Sequence, residues 1–145
     1  MRSVGLVATQ TLTFLFTDIE GSTAMTGRLG DGWAGVLADQ YRLIRAALAA
    51  HGGDEVACQG DGVFAALASQ QACVAAAIQA QRELVAHAWP GGATVRVRMG
   101  VHSGEASRTS AGLARLEVHG VGRSERVFKL QAEGLSAVRA AAVAG

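Results

Sequence analysis

The chain has 145 residues, half of them apolar, and a formal net charge of +1. This length suits one domain with a buried core, no apolar run reaches the roughly eighteen residues that span a bilayer, and the scattered basic residues form no stripe for nucleic acid. We therefore expect a cytoplasmic domain that binds neither a membrane nor nucleic acid. Cys58 and Cys73 lack metal-ligand spacing, so we expect two buried thiols.

The first half of the chain predicts a strand, a long helix and a hairpin. Residues 12–17 are apolar and β-branched, and Gly21-Ser22-Thr23 then predicts the start of a helix. The helical pattern continues to residue 50, with an interruption at Gly30-Asp31-Gly32. Two short strands follow, at residues 54–59 and 63–68, and Gly60-Asp61-Gly62 joins them as a hairpin turn.

The second half predicts a helix and a fourth strand. Residues 70–87 are rich in alanine, and Pro90-Gly91-Gly92 ends the helical pattern. Residues 94–101 alternate, so Arg96 and Arg98 are expected on the solvated face of a strand. The order βαββαβ predicts an α/β (α+β) fold, a ferredoxin-like plait whose antiparallel sheet carries both helices on one face.

The remaining residues predict less regular structure. We divide the chain into a core at residues 1–106 and a divergent tail at residues 107–145. Within the tail, residues 125–131 and 136–144 are expected to form short helices.

Two carboxylates lie at the ends of strands that this plait places side by side. Asp18 follows the first strand, and Asp61 lies at the tip of the hairpin that leads into the third. Paired carboxylates in a cleft favour a divalent cation, and the start of a helix can hold phosphates beside it. The pattern therefore predicts Mg²⁺ or Mn²⁺ together with a nucleotide. The alternative is that Asp18 caps a helix and Asp61 serves a turn.

Three motifs resemble the catalytic domain of the class III adenylate and guanylate cyclases, in their actinobacterial type. They keep the family's order and spacing over residues 10–106: Phe14-Leu15-Phe16-Thr17-Asp18-Ile19-Glu20-Gly21-Ser22-Thr23, then Gly52-Gly53-Asp54-Glu55-Val56 leading to Gly60-Asp61-Gly62, then Val97-Arg98-Met99-Gly100-Val101-His102-Ser103-Gly104-Glu105. The second motif also resembles diguanylate cyclases, which carry their acidic pair in the hairpin tip itself.

The resemblance implies conversion of ATP to cAMP and pyrophosphate with two metal ions, Mg²⁺ or Mn²⁺. It implies that Asp18, Asp61 and the Ile19 carbonyl bind the ions. It implies that the phosphates lie on the N–H groups of Gly21, Ser22 and Thr23. Such domains build their sites between two protomers, so a homodimer or pairing with another cyclase domain is implied, with ATP favoured over GTP.

Two departures from the family pattern leave the activity open. Ala57 stands where the family usually has a Lys or another polar residue that reads the base. In the tail, an ungapped alignment places His119 and Arg123 at the Asn and Arg of the family's Asn-x-x-x-Arg helix. An internal deletion after residue 106 would instead match residues 123–130 to the segment that follows the domain. The alternative function is a catalytically inactive, truncated homologue that binds nucleotide or dimerises.

Overall fold

The computed structural model describes the backbone of residues 8–109, 112–118, 125–130 and 138–143, and the side chains of residues 10–106. The elements up to the hairpin are β1 (Ala8–Ile19), α1 (Ser22–Leu29), α2 (Trp33–Ala50), β2 (Asp54–Gln59) and β3 (Gly62–Leu67). They are followed by α3 (Gln70–Ala86), β4 (Val97–Thr109), β5 (Gly112–Val118), β6 (Glu125–Leu130) and β7 (Val138–Val143). A turn of 3₁₀ helix at Gly30–Gly32 separates α1 from α2, where the sequence predicts an interruption.

The central strand of the sheet is β1, which pairs antiparallel with β3 on one side and β4 on the other. The strand order is β2-β3-β1-β4-β7-β6, with β5 also paired to β4. The predicted α+β fold is confirmed, with a four-strand antiparallel core and two long helices. In the described ranges no helix is both long and apolar enough to cross a membrane.

The two faces of the sheet bury different side chains. On the face covered by helices, Leu15 and Ile19 of β1 pack with Ile44 of α2 and Leu84 of α3. The other face carries an aromatic cluster, in which the Phe64 ring lies 5.4 Å from Phe14 and 4.7 Å from Phe16 between centroids. Because side chains alternate along a strand, Asp18 lies on the same face as Phe14 and Phe16.

The short helices predicted in the tail are wrong, because the chain forms strands there. Strands β6 and β7 pair antiparallel, and β7 lies beside β4, parallel to it, at the pair Met99↔Ala140. The alanines of the tail favour a helix by intrinsic propensity. The edge of β4 that faces away from β1 offers backbone hydrogen bonds, however, and β7 pairs there as a strand. The fourth strand is predicted at residues 94–101 but runs from Val97 to Thr109, so it starts and ends later than expected. Arg96 therefore precedes β4, and the expectation that it lies on a strand face is wrong.

The two thiols differ in burial, so the expectation of two buried cysteines is wrong for Cys58. Cys73 is fully buried in α3, and burial raises the pKa of its thiol to about 12. Cys58 is exposed on β2, whose residues are mostly solvent-facing because this strand forms the edge of the sheet.

Candidate functional site

The tip of the β2–β3 hairpin brings Asp61 against the end of β1. Its carboxylate oxygen Oδ2 accepts a hydrogen bond of 2.7 Å from the Ile19 backbone N–H. A Cβ on Gly62 would lie 3.1 Å from the Thr17 carbonyl oxygen, so the absence of a side chain there lets the tip approach β1. The Ile19 N–H belongs to the peptide that joins Asp18 to Ile19, so the Asp61 carboxylate lies beside the backbone of Asp18. Strands β1 and β3 are neighbours, as the sequence predicts.

Helix α2 contacts the same tip from the other side. The Gln40 amide Nε2 donates to the Asp61 carbonyl at 3.2 Å, and the Tyr41 hydroxyl donates to the Gly60 carbonyl. Burial raises the pKa of Tyr41 to about 12, so its hydroxyl stays a protonated donor far above neutral pH. Sequence reasoning missed both contacts. The sequence feature that could have indicated the Gln40 contact is a glutamine at a core position of a helical face that is otherwise apolar.

Asp18 is paired with Arg98 across β1 and β4. The two residues are opposite each other in the sheet register. The Arg98 atoms Nε and Nη2 donate to Oδ1 and Oδ2 of Asp18, each at 2.7 Å. Hydrogen bonding to Asp18 raises the pKa of Arg98. Arg98 is exposed, as the sequence predicts, but its ion pair with a candidate metal ligand was missed.

The start of α1 lies directly after this strand end. Gly21 has a φ of 66° and contributes no side-chain cap, and the first turn contains no acidic residue. The first intrahelical bond, from Met25 N–H to the Gly21 carbonyl, leaves the N–H groups at Ser22 and Thr23 without partners inside the helix. These groups can donate hydrogen bonds to an anion, and no carboxylate of the first turn competes for them.

A cleft of about 600 Å³ adjoins the helix start on the side of the loop before β4. Glu20, Gly21, Arg28 and Arg96 are among its lining residues, which do not include Asp18 or Asp61. The charged residues of this lining are two arginines and one glutamate, whereas the carboxylates of Asp18 and Asp61 lie outside it.

The donor atoms at the strand ends suit a hard divalent cation. Asp18 and Asp61 supply carboxylate oxygens, and the Ile19 carbonyl is a third candidate oxygen. Within the part of the chain that the structure describes, no group of three or more His, Cys, Asp or Glu side chains could hold a metal. Mg²⁺ is commonly held by one or two carboxylates plus substrate phosphates, so the residues present fit that ion.

The remaining predicted site residues are less informative. Ala57 lies exposed on β2, opposite Phe64 and next to a shift in strand register, and offers no hydrogen-bonding side chain. His119 and Arg123 lie outside the described residues, so their roles remain predictions.

Comparison with known families identifies the chain. The family described as "Adenylate and Guanylate cyclase catalytic domain" matches residues 6–119. The chain therefore belongs to this family. The match continues past residue 106, where we placed the end of the core, and the actinobacterial type and the internal deletion remain predictions.

Curated relatives share part of the sequence. A receptor-type adenylate cyclase of Trypanosoma congolense is 40% identical over 81 residues, which are 56% of this chain and 11% of that protein. Receptor-type adenylate cyclase B of Leishmania donovani is 36% identical over 78 residues, which are 54% of this chain and 6% of that protein. The chain thus spans only a small fraction of the length of these relatives.

Solved structures share the fold at low identity. The catalytic core of a rhodopsin-guanylyl cyclase with converted specificity, solved with ATPαS, superposes with a TM-score of 0.67 at 13% identity, covering 92% of this chain and 95% of that one. An adenylate cyclase of Trypanosoma brucei in its monomeric state gives a TM-score of 0.66 at 18% identity, covering 89% and 87%.

Proposed function

We propose that this chain is a nucleotidyl cyclase domain that converts ATP to cAMP and pyrophosphate at the edge formed by Asp18 and Asp61. The observation that carries the proposal is the bond from the Ile19 N–H to the Asp61 carboxylate, which holds Asp61 against the peptide that joins Asp18 to Ile19, just before an uncapped helix start. Carboxylate oxygens hold divalent cations, and helix N–H groups hold phosphates. Family membership and the adenylate cyclases among the relatives support ATP as the nucleotide.

Each residue has a distinct part in this proposal. Asp18, Asp61 and the Ile19 carbonyl would hold two Mg²⁺ or Mn²⁺ ions. When bound, such ions activate the ribose 3′-hydroxyl and neutralise the triphosphate in an in-line transfer. The N–H groups at Gly21, Ser22 and Thr23 would orient the phosphates. A second protomer or another cyclase domain would complete the site, and Arg123 and His119 are the candidate residues contributed across that interface.

The second candidate function is a nucleotide-binding or dimerisation module without turnover. It is favoured by Ala57, whose methyl group cannot hydrogen-bond a base edge, and by the ion pair that occupies both oxygens of Asp18. A site that lacks a polar partner for the base loses both affinity and discrimination.

The decisive experiment separates binding from turnover. Cyclic nucleotide formation is assayed with Mn²⁺ and ATP or GTP, and Mn²⁺ affinity is measured by electron paramagnetic resonance of the free ion. Asp18→Ala and Asp61→Ala are compared with Asp31→Ala, which removes one charge from the 3₁₀ turn after α1. If Asp18→Ala and Asp61→Ala lose turnover while Asp31→Ala keeps it, the result supports the cyclase. Carboxylate-dependent binding without turnover supports the module, and Mn²⁺ binding that survives either of these two substitutions refutes the site.

A further inference from the structure

Two consecutive residues of α2 contact two consecutive carbonyls of the hairpin tip. Gln40 donates to the carbonyl of Asp61 and Tyr41 to that of Gly60. Four residues further along, Arg45 pairs with Glu55 on β2 at 3.1 Å, and its guanidinium lies 5.0 Å from the centre of the Tyr41 ring. Helix α2 therefore holds both the tip and the strand that leads to it.

Gln40 is an unusual choice for its location. Its side chain is 0% exposed, and within residues 10–106 its Oε1 is the buried side-chain atom that lacks a hydrogen-bond partner. A buried acceptor without a partner costs stability, whereas an apolar side chain of similar volume would not. Packing alone therefore does not explain a glutamine here.

The hydrogen bond that Gln40 does make acts on the orientation of Asp61. Glycine lies on each side of Asp61, so the local backbone does little to fix its direction. The Asp61 carbonyl is held by Gln40, and its carboxylate is held by Ile19 at 2.7 Å. One contact on the backbone and one on the side chain together fix the carboxylate against the end of β1.

We propose that Gln40 is a positioning residue that aims the Asp61 carboxylate at the cation site. The inference rests on the proposed function of Asp61 as a cation ligand. Removing an outer-shell partner of a metal ligand typically costs about ten- to a hundredfold in metal affinity or activity. Gln40 would act in this way through the Asp61 backbone carbonyl. Gln40 thus exchanges some folding stability for a defined ligand direction.

Gln81 provides a matched control on the neighbouring helix. It is also a buried helical glutamine, and its Nε2 donates to the Val97 carbonyl of β4 at 2.7 Å. It contacts a strand rather than the Asp61 tip, so its role is structural. Substituting each glutamine by methionine removes the same donor from two similar environments.

The test measures Mn²⁺ affinity and metal-free thermal unfolding of the whole chain. For Gln40→Met we expect affinity to fall about tenfold or more, with an unfolding temperature equal to or above that of the wild type. For Gln81→Met we expect a lower unfolding temperature and unchanged affinity. Gln40→Leu is a second variant with the same expectation for both affinity and unfolding temperature.

The outcomes separate this inference from the proposed function. If Asp61→Ala abolishes Mn²⁺ binding while Gln40→Met binds like the wild type, Gln40 does not position the ligand. If Gln40→Met lowers the unfolding temperature as Gln81→Met does, Gln40 is a structural residue and the inference is overturned. If Asp61→Ala itself binds Mn²⁺ normally, the proposed cation site fails instead.

Discussion

Arg98 and Asp18 form a two-point ion pair in which the guanidinium occupies both oxygens of the carboxylate. A cation that binds Asp18 either shares these oxygens with the guanidinium, whose positive charge opposes it, or displaces the guanidinium. The side chains are 59% and 45% exposed, and exposed ion pairs contribute little free energy. The pair is therefore a weak competitor that a divalent cation can displace.

Arg98→Ala should strengthen Mn²⁺ binding, because it removes that competitor. The gain should be about two- to fivefold at low ionic strength, the range that exposed ion pairs support, and should shrink as salt screens the pair. Arg96→Ala is the control, since it removes the same charge two residues away and leaves the Asp18 pair intact. Titration of each variant with Mn²⁺ measures the effect. Equal gains in both variants would mean that net charge, rather than the pair, sets the affinity.

Local patterns predicted most of the fold and the two carboxylates. The strand that carries Asp18, the glycine-flanked tip at Asp61 and the α1–α2 interruption each have a signal within a few residues of sequence. The contacts of Gln40 and Arg98 do not, because they depend on helix docking and on a strand register between residues 80 positions apart. The tail strands were missed for the same reason, since pairing with β4 outweighs the helical propensity of alanine.

Discrimination between ATP and GTP should be weak. Ala57 presents only a methyl group at the expected base-reading position, so little differential binding energy is available, and we expect a preference below about a hundredfold. Ala57→Lys adds a hydrogen-bond donor at an exposed strand position and should widen the difference between the nucleotides. Binding of each nucleotide is compared under identical metal and salt. A wild-type preference well above this limit would mean that another residue reads the base.

The two cysteines should react at very different rates with a thiol reagent at pH 8. Cys58 is exposed and should react rapidly, whereas Cys73 is buried with its pKa raised to about 12 and should react only after unfolding. Cys58→Ser should remove the fast phase and leave the slow one. Two fast thiols in the wild type would contradict the burial of Cys73.

Folding stability should decline in alkaline solution. The pKa of Cys73 rises from 9.0 to about 12 and that of Tyr41 from 10.0 to about 12, because burial disfavours their charged forms. The unfolded chain therefore loses these protons first, so their stabilisation is complete below about pH 9 and is lost as pH rises toward 12. Tyr41→Phe should reduce this pH dependence when denaturant unfolding is followed from pH 8 to 11. An unchanged slope would contradict the raised pKa of Tyr41.

The chain should self-associate through the face of the sheet that carries the aromatic cluster. Phe16 and Phe64 stack there and are only partly buried within the described residues, and apolar surface of this kind tends to pair in a two-fold dimer. Phe16→Ser should weaken the dimer. Val85→Ser should not, although Val85 is 70% exposed, because it lies on α3. Sedimentation over a range of concentrations, with thermal unfolding to check that each variant folds, measures the association. A mass of 14.8 kDa at every concentration would show that the chain stays monomeric and that its site is not completed by a second copy.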